Sequence, residues 1–171
     1  AVVTVAAVQS GAPREHVPFY EVDPAWPKPL PNQWLLGAVA GVAVDPQDHV
    51  WIVHRPATLQ PNETRSIWRA APPVLEFDQQ GNLISSWGGA GAGYEWPDLE
   101  HGIYVDNEHV WLGGGGEKDA QILKFTRGGK FLMQIGRPNS GKGSNDVEHL
   151  RLPAKTIVDP KTNELYVADG Y

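Results

Sequence analysis

The chain has 171 residues, 41% of them apolar, with 14 Lys and Arg against 20 Asp and Glu for a net charge of −6. That length holds one domain with its own core, and the composition excludes a disordered chain. No stretch approaches the roughly 20 apolar residues of a membrane-spanning helix. The few basic residues are scattered, which excludes a nucleic-acid groove, and the absence of cysteine excludes disulfides, thiolate metal sites and a cysteine nucleophile.

In chain order, the first segment is "AVVTVAAVQSGA", small and apolar and beginning at Ala1. Two readings stand for it: the end of a secretory signal's apolar region, or a β-branched strand from Val2 to Val8. From Val17 to Pro31 runs "VPFYEVDPAWPKPLP", whose five prolines favour extended chain outside a strand ladder. Residues 1–36 therefore read as an N-terminal strand and a Pro-rich strap.

After the strap one unit recurs three times: "GVAVDPQDHVWIVHR" (Gly41 to Arg55), "GIYVDNEHVWLGG" (Gly102 to Gly114) and "KTIVDPKTNELYVADG" (Lys155 to Gly170). Each is an alternating strand ending in Val-Asp, a short polar turn and a second alternating strand, the pattern of a half-buried hairpin. A second kind of hairpin lies between them, "PPVLEFDQQGNLISSWGG" (Pro72 to Gly89) and "AQILKFTRGGKFLMQIGR" (Ala120 to Arg137). Two hairpins make a four-stranded antiparallel sheet. The matched aspartates Asp45, Asp106 and Asp159 stand 61 and 53 positions apart, above the roughly 40 to 50 of known propeller repeats, and an insertion from Pro56 to Ala71 lengthens the first unit.

The expected fold is thus all-β, a β-propeller present in part. Residues 37–171 would hold blade one at about 37–90, blade two at about 96–137 and the first hairpin of blade three at about 150–171. Blade faces left uncovered imply association through an open blade edge, with a second copy or a protein partner. The chain reads as part of something longer, since the turn signal Asp169-Gly170 leads only to Tyr171.

Propeller sites form where innermost strands meet the central channel. His101 stands just before such a strand in "DLEHGIYVD", with Gly102 beside it, and offers imidazole as metal ligand or base; the plainer reading is a histidine bonded to a neighbouring blade's backbone. Arg55, ending the second strand of blade one, has the fork geometry to clamp a carboxylate or phosphate, against an ordinary inter-blade ion pair. His149 in "EHLRLP" lies near Glu148 and Asp146, and no ligand-type spacing links the histidines. "GRPNSGKGS" (Gly136 to Ser144) nearly matches a phosphate-binding loop, but Gly143 takes the Ser/Thr position and no helix follows. "NET" (Asn62 to Thr64) is a glycosylation sequon with meaning only in a secretory pathway.

The repeated units resemble NHL-repeat propellers, and "GVAVDPQDHVWIVHR", "EHGIYVD" and "LPAKTIVDPKTNELYVADGY" are similar to peptidyl-α-hydroxyglycine α-amidating lyases. The resemblance implies a six-bladed propeller with a channel zinc and a structural calcium, cleaving a peptidyl α-hydroxyglycine to peptide amide and glyoxylate. It places Arg55 on the substrate-binding arginine, His101 on one zinc histidine, Val42 and Ile103 on positions whose backbone carbonyls hold calcium, and Tyr171 on the catalytic tyrosine. It gives His149 no metal role. Two zinc histidines and a calcium-binding aspartate have no counterpart here, Arg151 replaces a family cysteine, and the Gly113 to Gly116 run replaces an ordinary strand end, so the chain alone is expected to be inactive.

Three functions follow. The first is a non-catalytic binding or scaffold unit, secreted or periplasmic, whose seven tryptophans serve as interface anchors or inter-blade core. The alternative is part of a zinc-dependent amidating-lyase-like enzyme acting on a small peptide-like substrate. The weaker alternative is a calcium-dependent lactonase-like propeller, which wants acidic ligands where this chain has His101.

Overall fold

Among the described residues, apolar alternation and aspartate-led turns make the regular structure strands, apart from one short 3-10 turn. The computed structural model describes residues 18–143 and 145–170. In chain order the strands are β1 (Trp34–Leu35), β2 (Ala38–Val44), β3 (Val50–Arg55), β4 (Arg69–Ala70), β5 (Val74–Phe77), β6 (Leu83–Trp87), β7 (Glu100–Val105), β8 (His109–Gly114), β9 (Gln121–Thr126), β10 (Phe131–Gly136), β11 (Pro153–Val158) and β12 (Leu165–Asp169), with one 3-10 turn at Pro56–Thr58. Among the described residues no helix is long and apolar enough to cross a membrane.

The strands form an antiparallel sheet β2-β3-β5-β6, a second β10-β9-β8-β7, the hairpin β11-β12, and a short parallel pair β1-β4 that ties the strap to the insertion. The all-β expectation of several small antiparallel sheets therefore holds. The expected NHL propeller, closed or partial, does not. The sheets pack in sequence, β7 against β2 and β3 on one side and against β11 on the other, and they do not close into a ring.

What repeats has a local cause. Asp45 Oδ1 accepts the backbone N–H groups of Gln47 and His49, at 2.9 Å each; Asp106 Oδ1 accepts those of Glu108 and His109; Asp159 Oδ1 accepts that of Lys161. Each aspartate caps its own hairpin turn, a role any antiparallel hairpin can require. The Val-Asp signature therefore specifies a turn and no particular family.

Two apolar layers hold the sheets. Trp51, Val53 and Val74 of the first sheet meet Ile103, Leu112, Leu123 and Phe125 of the second, and Trp87, Tyr94 and Trp96 seal the edge of that interface. On the first sheet's other face, Ile52, Leu75 and Phe77 are covered by Trp26, Leu30 and Trp34 of the strap. The Pro-rich segment is thus the cover of an otherwise bare sheet face. Burying a side chain of this size contributes roughly 1.5 to 3 kcal/mol, so the strap's three large residues make the first sheet's outer face stable in water. Most of the tryptophans are therefore core, whereas Trp68 in the insertion is exposed.

Close approach between the sheets depends on two glycines. A Cβ at Gly41 would lie 2.6 Å from the His101 carbonyl oxygen, and one at Gly102 would overlap the Ala154 carbonyl oxygen. Each glycine stands four residues before its turn aspartate, at or beside an irregularity in strand register, between Val39 and Gly41 in β2 and between Glu100 and Ile103 in β7. Such bulges bend an edge strand and re-aim its groups. They bring the starts of β2, β7 and β11 side by side.

Candidate functional site

Polar side chains gather at both ends of this stack. At the strand-start end, Arg55 closes β3 opposite Ala38 and its Nε donates to the Glu100 carbonyl oxygen at 2.8 Å. That bond joins the first sheet to the first residue of β7, next to His101. The His101 ring lies over Gly115, where a Cβ would come within 2.8 Å of its Cδ2. The glycine run after β8 therefore makes room for the imidazole. Two residues on, the Ile103 carbonyl oxygen accepts a hydrogen bond of 3.0 Å from Lys155 Nζ of β11.

His54, the neighbour of Arg55, is fully buried. Its Nδ1 accepts the Gly37 N–H at 3.1 Å, and its Nε2 lies 3.0 Å from the Pro72 carbonyl oxygen. Only the neutral ring protonated at Nε2 satisfies both contacts. Burial lowers its pKa, with the carbonyls of Pro72 and Ala71 pulling weakly the other way. It is a neutral strut that fixes the strand end from which Arg55 projects.

At the turn end, Asp45, His49, Glu76 and Arg127 converge. Asp45 and Glu76 are only 3% and 6% exposed. Arg127 Nη2 donates to Asp45 Oδ2 and, at 2.9 Å, to Glu76 Oε1; His49 Nδ1 lies 2.9 Å from the same Glu76 oxygen. Trp51 Nε1 donates to Asp45 Oδ2 at 3.0 Å, and the guanidinium sits over the Trp51 ring, 5.0 Å from its centroid. Burial alone would push the Asp45 carboxyl up. The bonds from the Trp51 indole, the His49 N–H, Arg127 and the Gln47 N–H outweigh it and hold the pKa at about 2.

Asp45, His49 and Glu76 place three donor atoms within 4.8 Å of one another, a spacing that a divalent ion could bridge. The Arg127 guanidinium already supplies the cation there. The cluster works as an ion pair locking the second sheet to the first, and an ion could enter only by displacing the arginine.

The structure thus brings Arg55 and His101 together and sets them at the end opposite the Asp45 cluster. Tyr171 lies outside the described residues, as does the Val2 to Val8 strand. Val42 is half exposed on β2, and calcium on the Ile103 carbonyl would meet the Lys155 ammonium. His149 pairs with Asp146, Nδ1 to Oδ2 3.0 Å, within its own loop. Sequence reasoning missed Arg127, Glu76 and Lys155. Arg127 lies 82 residues from Asp45, and no local spacing announces it; Lys155 was visible only as the residue standing where two earlier repeats have glycine.

No family model matches the chain. Among solved structures it is similar to a catalytically inactive histidine-to-alanine variant of virginiamycin B lyase from Staphylococcus aureus with quinupristin, at a TM-score of 0.45 and 14% identity over 82% of this chain. The chain spans 36% of that structure's length. The NHL and amidating-lyase resemblance is overturned: no family model matches, the sheets do not close into a propeller, and the repeated signature is accounted for by turn capping.

Proposed function

We propose that this chain supplies part of the active site of a lyase-type enzyme and is more than a scaffold, with the strand-start end as the catalytic end. The observation that carries this reading is the Arg55 bond to the Glu100 carbonyl, which fixes a guanidinium beside His101. Glu100 uses the Nε proton, and the terminal nitrogens of the fork suit a substrate carboxylate. In this reading His101 acts as a base on the carbon next to that carboxylate. It takes the proton, the carbon–hydrogen electrons form the new double bond, and the leaving group departs with its own electron pair; Arg55 stabilises the charge that builds on the carboxylate side.

Zinc on His101 would need at least two more ligands, and the three-residue donor group among the described residues does not include His101. The described residues complete neither a zinc site there nor a calcium site on Ile103, so no step is routed through a metal.

The test is elimination from small carboxylates bearing a β leaving group, followed by the ultraviolet absorbance of the unsaturated product. Arg55→Met is expected to raise KM, and His101→Ala to lower kcat by roughly 10²- to 10⁴-fold. Carboxylate binding that is unchanged in Arg55→Met would sink the reading. Partner binding without catalysis is the second reading, favoured by the exposed Val39, Val42 and Val44 of β2; it predicts that partner capture survives Arg55→Met and fails when those valines become serine.

A further inference from the structure

The three repeats can be aligned on their turn aspartates, and the residue four places earlier is Gly41 in the first, Gly102 in the second and Lys155 in the third. In the first two, the missing side chain admits the carbonyl of the next sheet. In the third, a long cationic side chain stands instead. It turns back to β7 and donates to the Ile103 carbonyl oxygen at 3.0 Å.

β7 is the edge strand of its sheet, so carbonyls on its unpaired side need partners from elsewhere. Two of them are met by cations: Glu100 by Arg55 of the first sheet and Ile103 by Lys155 of the third. Ordinary strand alternation points the carbonyls of residues three apart to opposite edges. The bulge between Glu100 and Ile103 resets that alternation and lets both face outward. The two anchoring oxygens are three residues of extended chain apart, at most about 10 Å, with His101 between them.

We propose that Arg55 and Lys155 form a two-cation cradle along the β7 edge, and that the ligand of this site is a small dicarboxylate, one carboxylate on each cation. This rests on the reading of Arg55 as a carboxylate holder and adds the second charge. One carbonyl takes one of the three ammonium protons, and Lys155 is solvent-exposed, so an anion can reach the others. An edge-covering role alone would need a donor on each carbonyl and would place no premium on a doubly charged ligand.

The experiment is an NMR titration of the whole chain at constant ionic strength with propionate, succinate, glutarate and adipate, in the unmodified protein and in Lys155→Met, Lys155→Arg and Arg55→Met, each first checked for an unchanged melting temperature. The expected result is that one dicarboxylate binds roughly tenfold more tightly than propionate, as a second charge-assisted contact should give. Lys155→Met should reduce that dicarboxylate to the affinity of propionate, and Lys155→Arg should keep the preference. Equal binding of dicarboxylates and propionate, or a preference that survives Lys155→Met, overturns the cradle; if Arg55→Met still weakens propionate, the Arg55 reading stands alone. Propionate binding that is indifferent to Arg55→Met overturns both.

Discussion

Replacing Arg127 with methionine is the most direct test of how the first two sheets are held together. The guanidinium bonds Asp45 and Glu76, both nearly buried, and methionine keeps an unbranched apolar stem without the charge. Breaking a buried ion pair from one side costs roughly 3 to 5 kcal/mol, because the remaining charges are left uncompensated. The Arg127 side chain is 23% exposed, so water offsets part of the loss, and about 3 kcal/mol is expected. For a chain of this size that is a fall in Tm of roughly 6 to 12 °C. Urea unfolding of both proteins at neutral pH measures it. The pH dependence follows from Asp45, whose pKa falls from the usual 3.8 to about 2 in the folded protein. A carboxyl depressed on folding contributes stability that is complete above pH 3.8 and is lost as pH falls through about 2. The gap between Arg127→Met and the unmodified protein should therefore narrow across that window. A cost below about 1 kcal/mol at neutral pH would mean that the cluster behaves as a solvated surface pair, and the locking argument would be wrong.

His54 gives a second pH signature, of the same sign and at higher pH. Its folded pKa is lowered by burial, so the stability from its neutral form is present above the ordinary value near 6.5 and declines as pH drops below it; unfolding midpoints at pH 7.5 and 5.5 should differ more in the unmodified protein than in His54→Gln. Trp51 and Trp111 occupy equivalent places in the first two repeats, but Trp51 Nε1 bonds Asp45, whereas Trp111 Nε1 is buried with no partner among the described residues. Trp51→Phe should cost about 1 to 3 kcal/mol and Trp111→Phe close to nothing beyond lost contact area; equal costs in denaturant titrations would refute the hydrogen-bond argument.

The hairpins were legible because their signals are local. Alternation sets which face of β3 or β8 is apolar, and an aspartate followed by two or more polar residues caps the turn, so element type and order could be read directly. The strap was legible as extended chain from its prolines, though its job was not: that Trp26 and Trp34 cover Phe77 and Leu75 depends on which sheet face is left bare. The site was less legible still. Arg55 and His101 could be named from their places at strand ends, but the bond from Arg55 to the Glu100 carbonyl spans 45 residues, and Gly102 marks a bulge in β7 without saying which distant side chain meets it. The family resemblance misled for a related reason. It was drawn from the repeated Val-Asp hairpin, which is the part of the sequence most constrained by turn geometry and least constrained by chemistry.

The positions where the repeats disagree are therefore the ones to read for function. At the place equivalent to Arg55 the other repeats have Gly115 and Gly170, and at the place equivalent to Lys155 they have Gly41 and Gly102. A repeat built only to pack would use the same small residue each time, as at Gly41 and Gly102, where a neighbouring backbone carbonyl leaves no room for a Cβ. Placing an arginine at one of these positions and a lysine at another gives up that close packing and puts two long cations against one strand edge. Both cations are anchored on carbonyls of β7, on either side of His101. If that exchange served packing alone, alanine replacements at both positions would lower stability, because the Glu100 and Ile103 carbonyls would lose their donors, and would leave anion binding unchanged. If it serves a ligand, the same replacements should remove anion binding while the sheets stay intact, and the two outcomes separate in a single set of variants.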